Sequence, residues 1–218
     1  KLLAYGLARD GSDWREWYVR DIESGEDAPD HLKWVKFSSV SWSPDNSGFF
    51  YSRYDEPRTN EEFTGSNYYQ KLYFHRLSDE QTDDQLIYQR EDEKEWGFSG
   101  YVTESSEYLI ISVWKGSGNK NQLFYKSLKE SDSDVVELIN EFDFEYSFIG
   151  HDATDFYFMT DDGAKKRRVI SIDIEDSHKD QWTEIIPESS DTLEVVSLFG
   201  DTIIASYLHK AHSRVLRY

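Results

Sequence analysis

The stretch SWSPDNSGFFYSRYDEP, residues 41–57, joins a polar turn to an aromatic strand and ends in a charged tail. Its turn, SPDNSG, contains Pro, which presets its own φ, Asp and Asn, which hydrogen-bond to nearby backbone, and Gly, which accepts a positive φ. The following FFYS is typical of a strand on a pleated, half-buried surface. If this phrase recurs along the chain, the fold follows from its period.

Short apolar runs that follow a polar turn do recur, at residues 2–5, 49–52, 109–112, 157–160 and 203–206. Their starts lie 47, 60, 48 and 46 residues apart. The one long interval contains the polar segment 55–67, which we interpret as a loop insertion on the common period.

Each repeat carries further strand-like segments in a constant order. One precedes the aligned run (35–42, 98–102, 146–149, 193–199), one follows it (17–22, 71–77, 122–128, 168–174, 214–218), and a more polar one comes last (86–89, 135–139, 182–186). Four short strands in roughly 47 residues is the pattern of a β-propeller blade. We therefore predict an all-β fold, a β-propeller of four-stranded antiparallel blades, with about four to five blades' worth of sequence.

The predicted limits follow from the same alignment. They are a partial blade over 1–34, blades over roughly 35–90, 96–140 and 144–187, and a partial blade over 192–218.

Composition restricts the partners. A net charge of −19 repels phosphate backbones and anionic lipid, so we expect neither nucleic acid nor a membrane as a partner. The chain has no cysteine, which excludes disulfides, a thiolate nucleophile and a Cys-based zinc site. The acidic clusters lack the spacing of a calcium loop, and KKRR (165–168) is interpreted as a hairpin loop rather than a nucleic-acid patch. We expect no metal and no cofactor.

Several motifs together resemble the propeller domain of the prolyl oligopeptidase family. They are AYGL (4–7), GSDW (11–14), VKFS (35–38), QKLYFH (70–75) and SVWKG (112–116). In that family a seven-bladed propeller covers an α/β-hydrolase domain, which cleaves short peptides after proline with a Ser, Asp and His triad. The resemblance implies an interior segment of such a propeller, cut from a serine endopeptidase in which the propeller admits only short peptides.

The segment itself is expected to be non-catalytic. The hydrolase nucleophile lies in G-x-S-x-G between a strand and a helix, and no such pentapeptide occurs here. GSG (116–118) is too short a match and falls in a predicted hairpin turn. No histidine has a serine in a nucleophile context, so each is interpreted as a surface or strand histidine. The six are His31, His75, His151, His178, His209 and His212.

Five residues become candidate site residues through the resemblance. Phe37 matches a phenylalanine of the outer substrate pocket in the context VKFS. Gly97, Trp114 and Ser117 fall at other wall positions, where the residue types differ from those of the best-known animal members. Asp13 lies in a loop that in the family faces the hydrolase domain, where it would meet a cationic group. The alternative for Phe37 and Trp114 is packing between blades.

The expected partners are the C-terminal α/β-hydrolase domain of the same full-length chain and short proline-containing peptides. Two other functions stay open: a non-enzymatic propeller that serves as a protein-interaction scaffold, and a dipeptidyl peptidase, for which no acidic pair that anchors a peptide amino terminus can be placed. Unpaired edges lead us to expect edge-to-edge self-association of the segment alone. We expect a cytoplasmic location, with the periplasm as the alternative.

Overall fold

A computed structural model describes residues 1–8, 11–57, 67–130 and 132–218. Within these ranges eighteen β-strands form five antiparallel sheets of three or four strands, and no α-helix occurs. The strands of each sheet follow one another in chain order, so every sheet is a meander. The prediction of an all-β propeller fold is confirmed.

The five sheets divide the strands in the order three, four, four, four and three. The first sheet is β1 Leu2–Ala8, β2 Arg15–Asp21 and β3 Asp27–Val35, and the second is β4 Ser41–Trp42, β5 Gly48–Arg53, β6 Lys71–Arg76 and β7 Gln85–Tyr88. The third is β8 Trp96–Val102, β9 Tyr108–Lys115, β10 Asn121–Ser127 and β11 Val135–Ile139, and the fourth is β12 Tyr146–Asp152, β13 Asp155–Thr160, β14 Arg168–Asp173 and β15 Thr183–Ile186. The fifth is β16 Thr192–Phe199, β17 Thr202–His209 and β18 His212–Arg217.

The turn that precedes β5 is held by side-chain hydrogen bonds. Ser43 Oγ donates to Asp45 Oδ1 at 2.7 Å, and the Ser47 backbone N–H donates to the same oxygen at 3.0 Å. These bonds to Ser43 and Ser47 lower the pKa of Asp45 to about 2. Gly48 then enters the sheet so close to β6 that a Cβ there would lie 2.0 Å from the His75 carbonyl oxygen. The turn chemistry and the glycine together determine where β5 begins.

The predicted strand over 35–42 is wrong in its extent. Val35 is the last residue of β3, residues 36–40 are not in a strand, and only Ser41 and Trp42 pair with β5. The reason is backbone conformation: φ is 61° at Trp34, one residue before β3 ends, and 54° at Phe37 in the link, both in the left-handed region that regular strands avoid. β3 itself was not predicted, since Pro29 and four charged or imidazole side chains obscure its pattern. It pairs only with β2, and an edge strand tolerates proline.

The chain forms two compact units: Lys1–Ser117 with Phe124–Val136, and Gly118–Leu123 with Glu137–Tyr218. In the first unit, a buried cluster joins the first and second sheets through residues such as Trp17, Leu32 and Phe49. In the second unit, Met159 and Val169 pack with Leu193 in a corresponding cluster. In each case one face of a sheet is buried against the next sheet, as in adjacent propeller blades. Most of the predicted insertion at 55–67 lies outside the described residues, because 58–66 are not described.

Candidate functional site

Three of the predicted wall residues lie together. Phe37, in the link between β3 and β4, is 56% exposed and packs edge to face on Trp114, with ring centroids 5.9 Å apart. Gly97 pairs with Trp114 across β8 and β9. A Cβ on Gly97 would lie 2.0 Å from the indole, so glycine provides the space in which the Trp114 ring lies. The result is an aromatic ledge formed by the exposed Phe37 and the half-buried Trp114.

A lysine that the sequence reasoning missed connects this ledge to Asp13. The ammonium of Lys36 lies 5.3 Å from the ring centroids of both Phe37 and Trp14, and 3.6 Å from Asp13 Oδ2. Its side chain is only 14% exposed, whereas that of Asp13 is 69% exposed. A partly buried cation between two aromatic faces is a stabilising arrangement. The one sequence feature that could have identified Lys36 is its position next to Phe37 in VKFS. Nothing in the sequence places GSDW beside Lys36.

The side chains beneath Lys36 are aromatic: Trp14 and Trp34 are half-buried, and Tyr54 is buried. Trp14 packs edge to face on Trp34 and on Tyr54, with centroids 6.1 and 5.9 Å away. The backbone N–H of Tyr54 donates to the Trp34 carbonyl at 3.0 Å, and burial raises the pKa of the Tyr54 hydroxyl to about 12. This packing supports the chain at Trp34, where φ is positive. The packing of these three aromatic rings therefore supports Lys36 and the ledge beside it.

A surface cavity of about 420 Å³ adjoins the ledge. Asp13 and Phe37 both line it. The other lining residues are Ala8, Ser12, Arg15, Ser38 and Ser39. Ser38 Oγ donates to the Ser39 carbonyl and accepts the backbone N–H of Ser52, so its rotamer is fixed. The cavity offers an apolar ring, a carboxylate and a guanidinium to a bound group.

Ser117 lies apart from the cavity lining. It occupies the turn between β9 and β10, directly after Gly116 with φ 64°, and it is exposed. The turn confirms the hairpin predicted for GSG. The pocket role of Phe37, Gly97, Trp114 and Ser117 stays a prediction, as does the contact of Asp13 with a hydrolase domain.

A second group of titratable residues is buried in the first unit. His75 Nε2 lies 3.0 Å from Asp30 Oδ1, and its Nδ1 lies 2.7 Å from Asp84 Oδ1, with all three side chains at most 1% exposed. Tyr51 Oη donates to the other oxygen of Asp84. Burial alone lowers the pKa of His75, but the hydrogen bonds to Asp84 and Asp30 outweigh it and raise the pKa. An imidazolium donates to both carboxylates at once, and its burial keeps it from substrate.

Over the described ranges, no group of three or more His, Asp or Glu side chains is arranged to hold a metal ion. Across the same residues, no helix is long and apolar enough to cross a membrane.

The chain is similar over its whole length to one part of known proteins. The family model described as "Prolyl oligopeptidase, N-terminal beta-propeller domain" matches residues 1–218. A prolyl endopeptidase from Elizabethkingia miricola is 33% identical over 217 residues, covering 100% of this chain and 30% of the relative. Prolyl oligopeptidase A from Galerina marginata is 32% identical over 217 residues, covering 90% of this chain and 29% of the relative.

Solved structures agree with these relatives. A prolyl endopeptidase studied for inter-domain dynamics in catalysis and specificity superposes with a TM-score of 0.88 at 30% identity, covering 100% of this chain and 31% of that one. Prolyl oligopeptidase B from Galerina marginata, bound to a 35-residue hydrolysis and macrocyclisation substrate, gives 0.89 at 27% identity, with 100% and 32% covered. The chain thus spans about a third of the length of the relatives it matches.

Proposed function

The chain belongs to the prolyl oligopeptidase family, as its N-terminal β-propeller domain, and we propose that it is the substrate-gating part of a serine endopeptidase that cleaves short peptides after proline. The match of the family model over residues 1–218 carries this proposal. The partner of the propeller is the α/β-hydrolase domain of the same full-length chain, and the substrates are short proline-containing peptides. In this arrangement the propeller covers the active site and excludes folded proteins by size.

Within that function, the ledge of Phe37 and Trp114 forms the outer wall of the substrate pocket. The exposure of Phe37 supports this role. More than half of its large apolar side chain is exposed, although it packs on the ring of Trp114. Such a surface gains free energy when a substrate side chain covers it. Asp13 and Lys36 form the polar side of the same surface.

The test is Phe37→Ala in the full-length enzyme, with steady-state kinetics on proline-containing peptides of increasing length. We expect KM to rise about fivefold for peptides long enough to reach the ledge, since one aromatic contact contributes about 1 kcal/mol. The shortest peptides should keep their KM. Phe199→Ala is the matched control, because Phe199 is 67% exposed in the other unit.

An unchanged KM for long peptides would assign Phe37 to packing between blades. The gating proposal has its own readout: the 218-residue chain alone should leave the same peptides uncut. Turnover by this chain alone would overturn its assignment as the gating part.

A further inference from the structure

A cavity of about 280 Å³ in the second unit opens beside the 3₁₀ turn Lys179–Gln181. Phe144, Tyr146 and Trp182 line it. The rings of Tyr146 and Trp182 meet at an interplanar angle of 90° with centroids 6.1 Å apart. The indole N–H of Trp182 donates to the Ser177 carbonyl at 3.0 Å, which fixes the ring. The aromatic walls of the cavity are therefore held in place by their own contacts.

An ammonium group already lies against these walls. Lys179 Nζ is 5.4 Å from the Phe144 centroid, 5.3 Å from the Trp182 centroid and 2.8 Å from Asp162 Oδ2. Aromatic faces combined with a carboxylate are the chemistry that recognises alkylammonium ions. We call the group Phe144, Tyr146, Asp162 and Trp182 the cation cage.

The carboxylate of the cage is fixed, whereas the lysine is not. Tyr146 Oη donates to Asp162 Oδ2 at 3.1 Å, and burial together with the charge of Asp162 raises the pKa of Tyr146, so the hydroxyl keeps its proton. The Asp162 side chain is only 10% exposed, but that of Lys179 is 62% exposed. An ion pair with so exposed a cation is weak, so another cation can replace Lys179 at little cost.

Charge around the cavity favours a second cation. Glu141 and Asp143 also line it, and neither has an ion-pair partner in the part of the chain that the structure describes. These two carboxylates outnumber the one lysine of the lining, whose charge is already paired with Asp162 outside the lining, so negative charge is in excess around the cavity while Lys179 is in place. Its volume remains open beside the lysine.

We propose that the cation cage binds alkylammonium groups, such as the lysine side chain of a peptide, and that Lys179 is a built-in occupant which the ligand displaces. The site uses none of the residues of the ledge and is independent of peptidase activity. It gives the propeller a binding surface for basic segments in addition to its gating role.

The test uses the chain itself and choline as the probe, with the dissociation constant from calorimetry and the Trp182 indole N–H resonance as the reporter of position. Choline should shift that resonance, while its neutral carbon isostere should not, because only the cation interacts with the aromatic faces and Asp162. Equal binding of the isostere would overturn the proposal.

Variants distinguish the role of Lys179, which occupies the site, from the role of the aromatic rings, which bind the cation. Lys179→Ala should tighten choline binding by about fivefold, the factor that an exposed ion pair is worth at most. Lys210→Ala, an exposed lysine in the turn between β17 and β18, is the matched control and should change nothing. Phe144→Leu and Trp182→Leu should each weaken choline binding by a factor at least as large as the gain from Lys179→Ala. Circular dichroism confirms that each variant is folded. Weaker binding by Lys179→Ala, or unchanged binding by a folded Phe144→Leu, would contradict the proposal.

Discussion

At the scale of the residue, His75 shows how a polar side chain can be part of a core. Its two nitrogens connect Asp30 in β3 with Asp84, which lies just before β7, so one ring bridges the first sheet and the second. The partners are 45 and 9 residues away, and the backbone N–H of Ser78 adds a bond to Asp30. The sequence predicted a surface or strand histidine, because periodicity places a residue on a strand but does not reveal which carboxylates face it.

His75→Gln should lower the free energy of unfolding by about 3 to 5 kcal/mol, because an amide donates to one carboxylate and leaves the other buried without its cation. The wild-type protein should also lose stability as pH rises. Because the pKa of His75 is raised from 6.5, its contribution is complete below about pH 6.5 and disappears as pH passes through the raised value. Urea unfolding between pH 6 and pH 9, in about one-unit steps, measures both effects.

His212→Gln is the control for that experiment, because His212 is exposed at the start of β18. It should keep the wild-type stability and the wild-type slope with pH. If His75→Gln shows the same slope above pH 6.5 as the wild type, the charge of His75 does not contribute to stability.

At the scale of the element, the sequence predicted every strand except β3, and the alignment that led to them rests on a glycine or polar turn followed by an apolar run. β5, β9, β13 and β17 all contain such runs and all occur. β3 was not predicted because its buried positions, among them Asp30 and Leu32, alternate with charged ones and follow a proline. Contacts between elements were not predicted either. Lys36 lies near Asp13 only because the first sheet folds back, whereas a sequence shows only which residues are neighbours along the chain.

Gly48 at the start of β5 permits a closer strand approach than any other residue would. Gly48→Ala should destabilise the protein by about 3 kcal/mol or more, because the new Cβ would meet the His75 carbonyl at 2.0 Å and the Phe74 ring at 2.8 Å, and the backbone must shift. Thermal unfolding measures the loss. Gly118→Ala, in a turn with nothing within 4 Å of its Cβ, should change the stability by less than about 0.5 kcal/mol. Equal effects of the two would mean that the strands separate freely at Gly48.

At the scale of the whole molecule, two opposing features act on association. The net charge of −19 makes copies of the chain repel one another. The first and last sheets nevertheless expose apolar side chains: Leu7 is 51% exposed in β1, Val195 57% in β16 and Val215 62% in β18. Exposed apolar side chains on a sheet favour contact with another protein surface. Ionic strength decides between the two, because salt screens the repulsion and leaves apolar burial intact.

We therefore propose that the chain alone self-associates through these sheets and predict that its mass in solution increases with salt. Sedimentation at about 0.02 M and about 0.5 M NaCl should show more dimer at the higher salt, where the Debye length falls from roughly 20 Å to roughly 4 Å. Val215→Lys should reduce the dimer, since it places a charge in the apolar surface of the last sheet. Leu86→Lys, at a 42% exposed position in the second sheet, is the matched control and should leave the dimer unchanged. A monomer at both salt concentrations would contradict self-association, and an equal effect of the two lysines would place the contact elsewhere than the last sheet.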